Sequence, residues 1–103
     1  MKLEELIIAV KEQGLTKTQL ESYSDSLTSL YADMNLEMAE IEKHQALFWV
    51  AKKYQGEVKA TNVEVDHAWD VTDKGLRQIV LKRYIKATEK LLSSVKHRIY
   101  STY

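Results

Sequence analysis

Three histidines, at 44, 67 and 97, are the residues of this chain best placed for acid–base work or metal ligation near neutral pH. Glu40 and His44 stand four residues apart and His67 and Asp70 three, so on helices each pair shares a face, and one pair from each of two helices could meet. The spacing does not match the Glu-x-x-His repeat by which paired helices hold two iron ions, and solvated or hydrogen-bonded side chains are the better reading. Cysteine is absent, which excludes disulfides and thiolate metal sites. The chain has no glycine-rich phosphate loop, no nucleophile elbow and no nucleophile beside an orienting base. The expectation is a protein without enzymatic activity, bound metal or cofactor.

Two other groupings have the composition of binding surfaces. In "GLRQIVLKRYIKATEKLLSSVKHRIY", Lys82, Lys86 and Lys90 repeat every four residues with Arg83 and then His97 alongside, a candidate nucleic-acid ribbon along one helix. The formal net charge of zero and the isoelectric point near 6.8 weigh against strong nucleic-acid binding, which needs many uncompensated cations. Phe48, Trp49 and Trp69 form an aromatic cluster if two helices fold back on each other. Packing explains such a cluster better than base stacking does, because each ring buries roughly 150–250 Å².

The elements that position these residues are helical. Proline is absent and glycine occurs only at 14, 56 and 75, so few positions interrupt a helix. Leu3, Leu6, Ile7 and Val10 recur at helical spacing and predict a short first helix, about 3–13, with Gly14 suited to the left-handed residue that closes it. Thr16 and Gln19 have capping-box spacing, with Leu15 and Leu20 as the flanking staple, and open a second helix of about 17–55. Thr61 and Glu64 repeat the capping box and open a third, about 61–100, with Ala68, Trp69, Thr72, Leu76, Ile79, Tyr84, Thr88, Leu91, Val95 and Ile99 near one face. Gly75 costs about 1 kcal/mol inside a helix, so a close contact or a local irregularity is expected there.

The whole chain, 1–103, reads as a single all-α domain in which the short N-terminal helix precedes a long antiparallel, coiled-coil-like hairpin. Pairing should follow residue numbers that sum to about 117. Charge fits that register. Residues 15–42 carry net −5 against net +7 for residues 74–103, and nearer the turn residues 43–56 carry +3 against −4 for residues 57–73, Glu57 included. On this reading the basic run is first of all the partner of the acidic helix, and it selects register more than it adds stability.

Apolar residues also lie off the shared seam: Tyr31, Leu36, Leu47, Val50, Val80, Ile85 and Leu92. The short first helix can cover about a third of such a hairpin, and monomers seldom expose the remainder. Self-association is therefore expected, most simply a two-fold dimer with a four-helix core, or with the first helix swapped between subunits. No apolar run approaches the length of a membrane span, and the start is too short in apolar residues and too acidic for a signal peptide; a cytoplasmic protein without membrane contact is expected.

The stretches "LTKTQLESYSDSLTSLYADM", "AEIEKHQALFWVAKKYQGEVKATNVEVDHAW" and "YIKATEKLLSSVKHRIYS" resemble small all-helical proteins encoded in tailed-phage genomes. The resemblance covers roughly residues 15–100. It implies a phage or prophage context and hence the host cytoplasm, with no enzymatic role. It also implies a partner among the proteins or nucleic acids of recombination and replication, virion assembly, or host defence.

Overall fold

The structure, a computed structural model, describes residues 2–56 and 58–101, so Glu57, one of the acids in the charge pattern near the turn, lies outside the described residues. The chain is an all-α helical hairpin preceded by a short helix: α1 Leu3–Val10, α2 Lys17–Lys53, α3 Asn62–Asp70 and α4 Asp73–Ser101. No strand occurs among the described residues. Both expected capping boxes form. The Thr16 and Thr61 hydroxyls accept from the Gln19 and Glu64 amides at 3.2 and 3.1 Å, and the Gln19 and Glu64 side chains accept from the Thr16 and Thr61 amides at 2.8 and 3.3 Å.

Contacts group the chain into two compact units, Met1–Asn35 with Arg83–Tyr103, and Leu36–Lys82. In the first, α1 lays Leu3, Leu6 and Val10 onto Leu20 and Leu27 of α2 and Val95 of α4, with Tyr23, Leu30, Leu91, Leu92 and Ile99 packed around them. Each fully buried leucine or valine contributes about 1.5–3 kcal/mol relative to exposure. The helix α1 stops at Val10, earlier than its periodicity predicts, and Arg98 closes its end: one guanidinium nitrogen donates to the Val10 carbonyl and the other to that of Glu12. Gly14 has the left-handed φ of +76° that its position suggested, but in the link to α2 rather than at the helix end.

In the second unit, α2 and α4 again run antiparallel, with α3 set against them through Val65 and Trp69. Phe48 and Trp69 meet on the expected register, and Glu37 pairs with Arg77 within a few positions of it. The third predicted helix is not continuous. It breaks at Val71 and Thr72, where the Thr72 hydroxyl donates to the Trp69 carbonyl at 2.6 Å and accepts from the Gly75 amide at 3.0 Å, ending one helix and capping the next. Gly75 packs directly on that junction: a Cβ there would lie 2.0 Å from the Trp69 carbonyl oxygen.

The first turns of α4 depart from the expected face: Gln78 and Leu81 are buried there, while Leu76, Ile79 and Tyr84, expected inward, are exposed. Further along, Thr88 and Val95 are buried as expected, with Leu91 and Ile99 partly buried. Gln78 is a polar member of the buried face. Its amide joins a relay in which the Trp69 indole N–H donates to Gln78 Oε1 at 2.7 Å and Gln78 Nε2 donates to Gln45 Oε1 at 2.8 Å. No buried side-chain nitrogen or oxygen among the described residues lacks a partner.

Candidate interaction surfaces

The basic ribbon projects outward. Lys82, Arg83, Lys86 and Lys90 are all exposed, and none has an ion pair or hydrogen bond among the described residues. Their spacing explains this, because Leu81, Ile85 and Thr88 occupy the inward positions between them. The acids expected to consume them, Glu21, Asp25, Asp33, Glu40 and Glu42, are likewise exposed. The sequence totals are complementary, but the reading of the ribbon as the direct partner of the acidic helix is corrected: most of these charges face solvent rather than one another.

Arg77 does cross to α2. Its Nε and Nη2 donate to the two Glu37 carboxylate oxygens at 2.6 and 3.0 Å, and this hydrogen bonding holds Glu37 below its ordinary pKa of 4.5 against the opposing effect of desolvation. In the first unit, Tyr31 donates its hydroxyl to Glu89 at 2.8 Å, so Glu89, the acid within the basic run, is already engaged. That bond, followed by burial, raises the Tyr31 pKa above 10.0.

The seven apolar residues predicted off the seam divide into two sets. Tyr31, Ile85 and Leu92 are partly buried, Leu92 against the core of the first unit, so they belong to the seam of the chain itself. Leu36, Leu47, Val50 and Val80 are exposed, at 71%, 64%, 57% and 40%. These four all lie in the second unit. So do Tyr54, Val58, Val63, Val71, Leu76 and Ile79, which makes ten of the thirteen exposed large apolar side chains among the described residues. The last six escaped the sequence reading, Leu76 and Ile79 because a continuous third helix would turn them inward. The available signal was Thr72 followed by Asp73, a threonine cap with an acid in the next turn.

Of the aromatic cluster, Phe48 and Trp69 meet in a tilted contact with centroids 5.4 Å apart and planes inclined at 59°, and Trp69 is buried. Trp49 lies apart from that pair, its ring beneath the Lys53 ammonium at 5.0 Å. The Lys53 ammonium also donates to Asn62, tying the end of α2 to the start of α3. Beside the paired rings, His44, Thr72, Asp73 and Lys74 line a shallow depression of about 360 Å³. His44 Nε2 is 3.7 Å from Glu40, and His67 is exposed. No group of three potential metal ligands occurs among the described residues.

No protein-family model, curated protein or solved structure matches this chain. Among the described residues, no helix is long and apolar enough to cross a membrane.

Proposed function

We propose that this is a non-catalytic, phage-type helical interaction protein of the host cytoplasm, which self-associates and binds another macromolecule as an adaptor or as an inhibitor of a host factor. The observation that carries this reading is the segregation of exposed large apolar side chains onto the second unit, ten of the thirteen among the described residues. In the first unit α1 covers the seam between α2 and α4. The second unit carries Leu36, Leu47, Val50 and Val80 in water, and apolar patches of that kind mark association surfaces. Light scattering over the micromolar range tests the reading: a mass above that of one chain is expected, and a strictly monomeric species refutes self-association.

A second reading, a nucleic-acid-binding accessory protein of phage recombination or replication, is favoured by one observation, the exposure of Lys82, Arg83, Lys86 and Lys90 without an ion pair among the described residues. Four phosphate contacts make affinity fall steeply with salt, with a logarithmic slope of about −3 to −4. Fluorescence anisotropy of labelled single- and double-stranded oligonucleotides at about 50 and 200 mM salt reads that slope directly. Absence of binding at the lower salt removes this reading.

A further inference from the structure

The outward side of α2 in the second unit has a heptad seam of its own. Leu36, Glu40, Lys43, Leu47, Val50 and Tyr54 follow in steps of four, three, four, three and four, the repeat of a coiled-coil contact line. All six are exposed, on the side opposite Met38, Ile41, Gln45 and Phe48, which are buried or partly buried inside the unit. A helix carrying one inward stripe and a second, outward heptad line has two partners to satisfy. The chain itself supplies the inward one.

Resting on the self-association reading above, we infer that the outward line is the contact with a second copy of this chain, α2 against α2 in antiparallel orientation about a two-fold axis near residues 41 and 42. The charges on the line decide this. Glu40 and Lys43 are the two charged positions at its centre; Lys43 has no hydrogen bond or ion pair among the described residues, and Glu40 reaches only His44, at 3.7 Å. A parallel pairing sets Lys43 against Lys43 and Glu40 against Glu40, so it is repulsive at both positions. The antiparallel pairing sets each Glu40 against the other copy's Lys43, and each Leu36 against the other copy's Leu47. The central four positions, 36, 40, 43 and 47, are thereby complementary to themselves, as a two-fold interface requires. Ala39 and Ala46 flank the line and allow the two helices to approach closely.

The chain has no cysteine, so introduced thiols report the geometry without background. Leu36→Cys/Leu47→Cys is expected to give a disulfide-linked dimer on mild oxidation, and Leu36→Cys alone is not. Lys43→Glu is expected to weaken dimerisation about tenfold, and Glu40→Lys/Lys43→Glu to restore it. Efficient linking by Leu36→Cys alone means a parallel contact and overturns the inference. A wild-type dimer whose affinity is indifferent to Lys43→Glu places the interface elsewhere; it overturns this seam while leaving self-association intact. A monomeric wild type removes both.

Discussion

Replacing Gly75 with alanine sets two effects of known sign against each other. Alanine is favoured over glycine within a helix by about 0.8–1 kcal/mol, so propensity alone predicts a more stable protein. Space predicts the reverse. The new Cβ would stand 2.0 Å from the Trp69 carbonyl oxygen, 2.8 Å from its carbon and 3.0 Å from the Asp70 Cα, all of them backbone atoms with no side-chain torsion to turn aside. Relief requires α3 and α4 to separate by more than about 1 Å, at an overpacking cost of about 1–3 kcal/mol. The same movement strains the Thr72 bridge, whose bonds to the Trp69 carbonyl and Gly75 amide are 2.6 and 3.0 Å long, and the Trp69–Gln78 bond of 2.7 Å. Adding the loss of two of these at about 1 kcal/mol each to the overpacking cost, less the propensity gain, leaves a net destabilisation of about 2–4 kcal/mol. Urea unfolding followed by circular dichroism and tryptophan fluorescence measures it. Gly56→Ala serves as the control, since its Cβ would meet nothing closer than the Val58 carbonyl oxygen at 3.5 Å. If Gly75→Ala leaves the midpoint unchanged or raises it, the junction does not require glycine and the account of the break is wrong.

Three further outcomes follow from the packing and the hydrogen bonds. Leu27→Ala, at a fully buried position in the core of the first unit, should cost about 3 kcal/mol in urea unfolding; a loss below about 1 kcal/mol would mean that this core is loosely filled. Gln78→Leu should cost about 2 kcal/mol, because it strands the buried Trp69 indole N–H, and a neutral result would show that the indole finds another acceptor. The Glu37 pKa is depressed, so its pair with Arg77 stabilises the fold above pH 4.5 and loses that contribution as pH falls through the lower folded value. Both side chains are more than a third exposed, which limits the effect to about 0.5 kcal/mol. A Glu37 titration midpoint by NMR at or above 4.5 would contradict it.

Local signals in the sequence were legible wherever neighbouring residues alone determine the outcome. The capping boxes at Thr16 and Thr61 depend on residues three apart, and both formed. The hairpin register depends on a short link between two long amphipathic segments, and it placed Phe48 beside Trp69. Gly75 announced an irregularity because a helix tolerates glycine only at a cost. The kind of irregularity was harder to read, since Val71 and Thr72 are compatible with a helix interior and the Thr72 cap acts together with the hydrogen bond from Trp69 to Gln78 across the break. In the first turns of α4 polar Gln78 lies inward and apolar Leu76 and Ile79 outward, and hydrophobic pattern alone cannot foresee such an exchange. The charge totals misled for a related reason: net charge per segment carries no direction, whereas the direction of each side chain is set by the apolar residues beside it.

The two units also differ in how far along the chain their contacts reach. The hydrogen bonds of the second unit join residues 9, 33 and 40 apart in sequence, whereas in the first unit Tyr31 reaches Glu89 across 58 positions and Arg98 reaches Val10 across 88. Closing a loop from 33 to 88 residues long adds about 1 kcal/mol of entropic cost, which the short-range unit never meets. Contact order therefore predicts that the segment 36–82 forms early and that α1 joins the last turns of α4 late, an order that pulsed hydrogen exchange during refolding would test. During synthesis the apolar face of α1 is made before the residues of α4 that cover it. Leu3, Leu6 and Val10 wait until Val95 and Arg98 have emerged before their core can close.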